Sequence, residues 1–395
     1  MKDIKPFATT LVGSMPRSKE LLELKEKLKT NPNLKEDFEK KVFEETKKVI
    51  KLLDKVGIDI VVSGELSRDN YMGYIAEKVD GINLLTTDEI KELLPDDSAF
   101  KKSLEEMDAN ENIMKSPVCI GKINTDTPLN IKEVENIKKL TNKPFKITLP
   151  SPYLLTRTMW VKEVTGKIYD NRAALGEDVV KLLINEIKRL SSLGVKIIQI
   201  DEPILSEVVF TKECEDTSFY WGALSEKVKV DRELRFAKKL LTPIFDELKK
   251  YDDIISALHV CRGNWTRDES VLLQGPYDRL TSVFESIGAD LLTLEFSTPR
   301  AGEVEKLFDN NFLDKKIALG LGCINPRTSE IENVEKIIKL AEDALQYLPP
   351  EKILLNPDCG FSTFSQRPLN PYDIIEKKLQ VMVQASKKLR EIYCD

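Results

Sequence analysis

The sequence predicts a single (β/α)8 barrel, an α/β fold in which eight parallel strands close into a cylinder surrounded by helices. Short apolar runs alternate along the chain with longer amphipathic charged stretches, which is typical of repeated strand–helix units. Eight of these runs are predicted strands, at residues 8–14, 59–66, 145–152, 195–203, 254–264, 289–296, 316–324 and 352–360. The alternative is an open doubly wound sheet, but the Gly-x-Gly-x-x-Gly signature expected after its first strand is missing from this sequence.

Helical segments accompany most of the predicted strands. The longest predicted helices cover residues 34–56, 172–193, 232–251, 331–347 and 372–392. Their charged residues recur at a helical period, as expected of helices with one solvated face.

Two connections, residues 67–144 and 204–230, are longer than ordinary loops between a strand and a helix. The first contains two predicted helices, 87–94 and 100–110, and a predicted strand, 117–124. Both connections leave the C-terminal ends of strands, where barrels build their active sites. We therefore expect the whole chain to be one barrel domain with two insertions at its C-terminal rim.

The composition is that of an ordinary globular chain of 395 residues, with 41% apolar residues, 32% charged residues and a net charge of −6. This mild acidic balance predicts neither nucleic acid nor an anionic membrane as a partner. The N-terminus lacks the apolar core of a signal peptide, and no run approaches the ~18 apolar residues that span a bilayer. The six cysteines are not densely spaced, so free thiols in the cytoplasm are expected.

The only histidine of the chain, His259, precedes Cys261 by two residues at the end of an apolar run. Residues two apart in an extended segment point to the same face, so these two side chains can reach one metal ion. Imidazole and thiolate are ligands that suit zinc. Taken alone, the pair fits equally a buried structural histidine beside an inert thiol.

Other polar residues also end predicted strands and therefore share one rim of the predicted barrel. They are Ser14, Glu65, Asp201, Glu202, Glu295, Cys323, Asn325 and Cys359. Each alone has an ordinary explanation as a turn residue, a helix cap or a small buried residue. A zinc site of His259, Cys261, Glu295 and Cys359 would draw its ligands from separate strand ends, which indicates catalysis rather than a local structural finger. Cys323 is a rival to Glu295 as the fourth ligand.

Five motifs occur in an informative order along the chain. They are Thr-Leu-Val-Gly-Ser-Met-Pro at 10–16, Ser-Gly-Glu at 63–65, Gln-Ile-Asp-Glu-Pro at 199–203, His-Val-Cys-Arg-Gly-Asn at 259–264 and Asn-Pro-Asp-Cys-Gly at 356–360. With these five motifs in this order, the chain resembles the catalytic C-terminal barrel of cobalamin-independent methionine synthases. The match runs from residue 10 to the C-terminus, and the chain is identified as a short single-barrel member of the core, or archaeal, type.

The resemblance implies one zinc ion per chain, held by His259, Cys261, Glu295 and Cys359. A free thiol has a pKa near ~8.5, and coordination to zinc converts it to a nucleophilic thiolate. Glu295 is the hardest ligand of the set, and we expect it to be the one that yields its position to an incoming sulfur.

The resemblance further implies that Glu65 and Asp201 bind the amino group of homocysteine, while the backbone around Val12 and Ser14 binds its carboxylate. The two carboxylates are predicted catalytic residues because they orient the acceptor for in-line methyl transfer. Coenzyme M is an alternative thiol acceptor, but it carries no ammonium group for them to bind. A zinc-binding barrel without catalysis is the third possibility.

The methyl donor is the point at which the sequence departs from the family. Asn325 stands where the two-barrel synthases have a histidine placed to act as a general acid, and it is predicted as a catalytic position. An amide cannot supply a proton, and 5-methyltetrahydrofolate needs one for its nitrogen leaving group. A methylcorrinoid releases cobalt(I) without protonation. The departure therefore favours methylcobalamin or a corrinoid protein over the folate, although Asp358, Glu202 or water could still deliver the proton.

Overall fold

The computed structural model describes residues 4–96, 101, 115–210, 229–264, 266–308 and 317–394. Its strands are β1 (Ile82–Thr86), β2 (Lys115–Cys119), β3 (Lys146–Pro150), β4 (Ile197–Asp201), β5 (Ile255–Val260), β6 (Leu291–Glu295), β7 (Ala318–Ile324) and β8 (Ile353–Pro357). Strands β3 to β8 pair in chain order, and every pair is parallel. Strands are expected to pair in chain order when each connection between them passes over the outside of the sheet.

The two remaining predicted strands, 8–14 and 59–66, close the cylinder between β8 and β3. They form single parallel bridges, Thr9 with Leu355, Thr10 with Ile60, and Val61 with Phe145. The predicted (β/α)8 barrel is therefore confirmed, but two of its eight strands are bridges rather than continuous ladders. Positive φ angles at Gly64 and Glu65, 84° and 56°, interrupt the extended conformation of the second of these segments.

The helices surround this cylinder. They are α1 (Lys19–Thr30), α2 (Lys35–Val56), α3 (Thr87–Glu92), α4 (Ile131–Leu140), α5 (Pro152–Met159), α6 (Lys162–Thr165), α7 (Arg172–Ser192), α8 (Ile204–Phe210), α9 (Val230–Leu248), α10 (Thr281–Ile287), α11 (Val334–Leu345) and α12 (Tyr372–Tyr393). The five long predicted helices correspond to α2, α7, α9, α11 and α12, and most of their ends shift by one to three residues. Among the described residues no helix combines the length and the apolar character needed to cross a bilayer.

Both predicted insertions contain elements of their own. The first carries the antiparallel hairpin β1–β2, whose register runs from Ile82 opposite Cys119 to Thr86 opposite Lys115. Helix α3 begins at the predicted residue, whereas the predicted helix 100–110 lies outside the described residues. The second insertion begins with α8, and its residues 211–228 lie outside the described part of the chain.

The interior of the barrel changes character along its axis. An apolar plug fills its N-terminal end, formed by Ile4, Ala8, Ile60, Ile197, Ile255, Ala257, Leu291, Ala318 and Leu354. Two residues further along the strands the same face carries buried polar side chains, among them Gln199, His259, Thr293 and Asn356. A plug of this kind closes a barrel by hydrophobic packing, whereas buried polar groups need partners. The polar layer therefore indicates the end of the barrel at which a site lies.

A tyrosine hydroxyl joins the ends of β5 and β6. The Tyr277 hydroxyl donates to the carbonyl of Val260 at 2.7 Å and accepts from the amide of Glu295 at 3.0 Å. The tyrosine is buried, so neither backbone group has water as a substitute partner. This hydroxyl therefore holds two strand ends together at the rim.

We expect Tyr277→Phe to lower the free energy of unfolding by ~2 kcal/mol, because two buried backbone groups lose their partner. Tyr393→Phe is the matched control, since the Tyr393 hydroxyl lies at the surface and donates to Glu342. The control should change stability by less than ~0.5 kcal/mol. Urea denaturation of both variants measures the difference, and equal losses would contradict the role assigned to Tyr277.

Candidate functional site

A small pocket opens at the C-terminal rim of the barrel, where the sequence places its polar residues. Seven of the nine predicted site residues line it: Val12, Ser14, Glu65, Asp201, His259, Cys261 and Cys359. Glu295 and Asn325 are not among the residues that line the pocket. The strand ends therefore bring together most of the predicted site, although its members are up to 347 positions apart in the sequence (359 − 12).

His259, Cys261 and Cys359 form a buried cluster of potential metal ligands. One ligand atom from each lies within 4.8 Å of the others, and Nε2 of His259 is 3.9 Å from Sγ of Cys359. Tetrahedral zinc with Zn–N and Zn–S bonds of ~2.0 and ~2.3 Å separates such atoms by ~3.6 Å. The nitrogen and sulfur donors thus suit zinc in both chemistry and spacing, and His259, Cys261 and Cys359 can hold one such ion.

One ring nitrogen of His259 bonds to the backbone, and the other lies toward the two cysteines. Nδ1 of His259 lies 3.1 Å from the carbonyl oxygen of Thr293, which can only accept a hydrogen bond. Nδ1 is therefore the donor to this carbonyl, and Nε2 is the ring nitrogen that faces the sulfur atoms and would offer its lone pair to a bound metal ion. The pKa of Cys261 is held well below the usual range of a thiol, because Cys359 and His259 hydrogen-bond to its sulfur. A thiolate at this position is what a metal site requires.

Glu295 is buried beside the cluster but is bound by cationic and amide groups. Its carboxylate forms ion pairs with Arg300 at 3.0 Å and Arg327 at 3.5 Å, and accepts from the Arg262 amide at 3.1 Å. Burial alone would raise the pKa of Glu295, but Arg327 and Arg300 outweigh it and lower the pKa, so the group is ionised. The structure therefore places the predicted fourth ligand next to the site without bringing it into the cluster.

Cys323 does not join the cluster either. Burial raises the pKa of its thiol well above the usual range, and Asp358 raises it further, so the thiol stays protonated. The pKa of the Cys359 thiol is raised as well, chiefly by its hydrogen bond with Cys261, so position and not pKa separates the two thiols. Among the described residues the geometry thus favours Cys359 and not Cys323 as the second cysteine of the site.

Asn325 points away from the pocket and into a network of loops. Its side-chain amide donates to Glu269 at 2.5 Å, and its Oδ1 accepts from the Arg327 amide at 3.0 Å. The backbone amide of Asn325 donates to Glu332 at 2.9 Å. Asn325 therefore holds the β7 loop in place and does not line this pocket, and its catalytic role stays a prediction.

Glu65 reaches the pocket through an unusual backbone conformation. Its φ of 56° lies in the left-handed region, which costs a residue with a side chain ~1–3 kcal/mol. Partners secure this conformation, since the Glu65 amide donates to Ser63 Oγ at 2.9 Å and its carbonyl accepts from Arg17 at 2.8 Å. Thr148 Oγ1 donates to Glu65 Oε1 at 2.6 Å and aims the carboxylate at the pocket. Strain retained at such a position is typical of functional sites.

Asp201 ends β4 directly beside His259 in the strand register. Its carboxylate accepts from Gln199 Nε2 at 2.7 Å. Burial raises the pKa of Asp201 to about 7; His259 opposes this shift, and Glu65 adds to it. The neighbouring Glu202 is turned away, because Ser151 Oγ and the Leu154 amide donate to it. Of the Asp-Glu pair in the motif, the first carboxylate serves the pocket and the second supports the backbone.

Several residues of the site were missed by sequence reasoning. Tyr71 and Phe364 line the pocket from loops, whose conformation no periodicity predicts. Burial raises the pKa of Tyr71 well above its usual value, so its hydroxyl stays protonated. Thr148 and Lys146 lie in β3, and their alternation within an otherwise apolar strand was a signal that could have identified them.

Fold and site together define a (β/α)8 barrel with a buried imidazole–thiol cluster that could hold a metal ion and that lines one pocket with a pair of carboxylates. The chain belongs to the family described as "Cobalamin-independent synthase, Catalytic domain", whose family model matches residues 7–388. This agrees with the resemblance carried by the five motifs.

Curated relatives bear one common name, 5-methyltetrahydropteroyltriglutamate–homocysteine methyltransferase. The chain is 25% identical over 384 residues to the protein of this name from Bacillus licheniformis, and 24% identical over 386 residues to that from Thermotoga maritima. These alignments cover 97% and 98% of this chain but 42% and 45% of the relatives. The chain thus spans less than half the length of the curated relatives it matches.

Solved structures agree in fold along almost the whole chain. A putative vitamin-B12 independent methionine synthase from Listeria monocytogenes superposes with a TM-score of 0.69 at 19% identity. A B12-independent methionine synthase from Shewanella sp. W3-18-1, in complex with selenomethionine, gives 0.68 at 17% identity. Each alignment covers 98% of this chain and 99% of the other. At these identities the likeness supports the barrel and not the activity.

Proposed function

We propose that this protein is a zinc-dependent methyltransferase that transfers a methyl group to the sulfur of homocysteine and forms methionine. The observation that carries the proposal is the convergence of one imidazole and two thiols on the pocket that also contains Glu65 and Asp201. Membership of the family and the names of the curated relatives support the reaction. The assignment to the short single-barrel type stays a prediction.

His259, Cys261 and Cys359 are the zinc ligands in this proposal. Bound there, zinc would lower the pKa of the acceptor thiol from ~8.5 and supply a thiolate at neutral pH. Glu295 stays a predicted fourth ligand that exchanges with the acceptor sulfur, and Arg300 and Arg327 are placed to receive its carboxylate. X-ray absorption of the zinc protein should show one oxygen or nitrogen replaced by sulfur when homocysteine is added. An unchanged shell of ligands would rule out this exchange.

The two carboxylates bind the ammonium group of the acceptor. Glu65 and Asp201 approach the pocket from different strands, so they can contact one ammonium from two sides. The backbone around Val12 and Ser14 lines the same pocket and is proposed to bind the acceptor carboxylate. With both ends of the amino acid held, its sulfur is directed toward the cysteine–histidine cluster, and the methyl transfer becomes an attack within one bound complex.

For the donor we propose a methylated tetrahydropteroylglutamate, the donor given in the names of the curated relatives. Those names give no support to the methylcorrinoid predicted from Asn325, and Asn325 does not line the pocket. One observation still favours the corrinoid, since the chain has no histidine besides His259 to protonate a folate nitrogen. The assay therefore has to distinguish a methylated folate from a methylcorrinoid as the methyl donor.

The assay combines zinc-loaded protein, homocysteine and one of two donors, 5-methyltetrahydropteroyltriglutamate or methylcobalamin, with methionine measured by mass spectrometry. We expect methionine from homocysteine and at least ~100-fold less product from coenzyme M, which has no ammonium group for the two carboxylates. Turnover with methylcobalamin but not with 5-methyltetrahydropteroyltriglutamate would overturn the assignment of a folate as the donor. Failure with both donors, or equal rates with both thiols, would contradict the proposed function.

Gly13 leaves room for the Glu65 carboxylate. A Cβ at Gly13 would overlap Oε1 of Glu65 and lie 3.0 Å from its Cδ. We expect Gly13→Ala to raise the KM for homocysteine ~10-fold or more by displacing this carboxylate, with zinc content unchanged. Gly121→Ala is the control, because its nearest contact would be 3.3 Å from Gly81 and it lies outside the pocket. An unchanged KM in Gly13→Ala would show that homocysteine binding does not depend on the present position of the Glu65 carboxylate.

A further inference from the structure

Lys146 places an ammonium group inside the barrel, beneath the pocket. The residue lies at the first position of β3 and is only 1% exposed. Its Nζ donates to Oε1 of Gln199 at 2.8 Å, and within the described residues it forms no ion pair with a carboxylate. Burial lowers the pKa of Lys146 to about 7, with Asp201 and Glu65 opposing the shift. A buried lysine without a direct ion pair is costly, so its presence here calls for a role.

Gln199 connects this lysine to the pocket. In its charged form Lys146 can only donate, so the oxygen of the Gln199 amide faces it, in agreement with the donor role of Nε2 at the other end of the amide. The other end of the same amide, Nε2, is thereby turned toward Asp201 and donates to Oδ1 at 2.7 Å. Nε2 also lies 3.3 Å from the carbonyl of Val12, which again can only accept. Asp201, the Val12 carbonyl and Lys146 thus favour the same orientation of the amide, and Lys146 is the partner that holds its oxygen.

The two pocket carboxylates differ in how they are supported. Glu65 accepts from Thr148 and forms an ion pair with Arg68 at 3.6 Å. Asp201 forms no ion pair within the described residues, and the hydrogen bond from Gln199 is the side-chain contact that orients it. If the Gln199 amide were reversed, its oxygen would face the carboxylate and repel it. The hydrogen bond that orients Asp201 therefore comes from an amide whose oxygen is held by Lys146.

We propose that Lys146 is a positioning residue of the acceptor site, which acts through Gln199 to direct the Asp201 carboxylate at the ammonium group of the amino-acid thiol. The inference rests on the proposed function of the same pocket. It goes beyond that proposal because it assigns the selection of an amino-acid acceptor to a residue that does not line the pocket.

The test compares homocysteine with 4-mercaptobutyrate, which has the same thiol and carboxylate but no amino group. Lys146→Met should raise the KM for homocysteine ~10- to 100-fold while kcat changes less than ~3-fold, because an oriented contact to the bound acceptor is lost. Affinity for 4-mercaptobutyrate, measured by calorimetry on the zinc-loaded protein, should change less than ~2-fold, since Asp201 has no ammonium to bind in it.

Two controls separate this role from a structural one. Lys378 is fully buried and paired with Glu332 at 2.8 Å, so Lys378→Met removes a buried lysine away from the pocket and should leave both affinities unchanged. Gln199→Leu and the double variant with Lys146→Met complete a cycle. If lysine acts through the amide, the double variant should be no worse than Gln199→Leu alone.

Equal loss of affinity for the two thiols in Lys146→Met, or additive losses in the double variant, would overturn the proposal. If Lys146→Met does not fold, Lys146→Gln keeps a donor toward Gln199 without the charge and should retain the preference for homocysteine. Loss of the preference in Lys146→Gln would also count against the orienting role. Absence of homocysteine binding to the wild-type zinc protein would instead refute the proposed function.

Discussion

Replacing Cys261 or Cys359 by serine is expected to remove most of the zinc and to lower methionine formation at least ~10³-fold. Both sulfur atoms lie in the buried cluster with Nε2 of His259. A serine hydroxyl is not ionised near neutral pH and binds zinc far more weakly than a thiolate, so the remaining ligands hold the ion much less tightly. Zinc per chain, measured by atomic absorption after gel filtration, tests the prediction independently of activity.

Cys323→Ser is the matched control for these variants. Its thiol is buried and raised in pKa, and it lies outside the cluster, so the variant should keep one zinc per chain. This comparison also decides between the two ligand sets that the sequence allows. Loss of zinc in Cys323→Ser together with retention in Cys359→Ser would reverse the assignment. Urea denaturation of each variant separates metal loss from unfolding.

Removing one of the two pocket carboxylates is the second large effect. Asp201→Asn and Glu65→Gln should each raise the KM for homocysteine ~100-fold or more, because the ammonium group loses an ionised partner in a buried site. The variants should also lose the preference for homocysteine over 4-mercaptobutyrate. Glu202→Gln is the control, since Glu202 is a neighbouring buried carboxylate that does not line the pocket. Equal effects in all three variants would contradict the assigned roles.

The pH dependence gives a further readout of Asp201. Burial raises its pKa to about 7, with Glu65 contributing, and only the ionised form attracts an ammonium group. Homocysteine affinity should therefore increase as the pH rises through about 7 and decrease below it. Asp201→Asn should lose the part of this dependence that belongs to the carboxylate, because asparagine does not titrate, and keep only the part due to deprotonation of the acceptor thiol. Calorimetry between pH 6 and 8 is the measurement, and an unchanged profile in the variant would assign the titration to another group.

Much of the fold followed from local patterns. The alternation of apolar runs and amphipathic segments was enough to predict the barrel, because the spacing of apolar residues along the sequence shows which segments are buried strands and which are helices with one buried face. The segments 8–14 and 59–66 are the exceptions, since positive φ angles at Gly64 and Glu65 limit the second to isolated bridges. Those angles serve the placement of a pocket residue, and no apolar pattern encodes them.

The residues of the site also divide into those whose position the sequence predicts and those whose position it does not. His259, Cys261 and Cys359 were predictable because residues at the C-terminal ends of parallel strands meet on one rim. The surroundings of Asn325 were not, because its side chain donates to Glu269, 56 positions away in the sequence, and it does not line the pocket. A predicted strand end determines the rim on which a residue lies, but not the direction of its side chain.

The sequence by itself determined the barrel, the rim that carries the polar residues and a small set of candidate ligands that includes His259, Cys261 and Cys359, because these depend on periodicity and on the positions of strand ends. Only the tertiary structure decided that arginines hold Glu295 beside the cluster and that Gln199 joins Lys146 to Asp201. Both are contacts between side chains from different segments of the chain. Such contacts depend on distances and orientations in space, which exist only after the chain has folded.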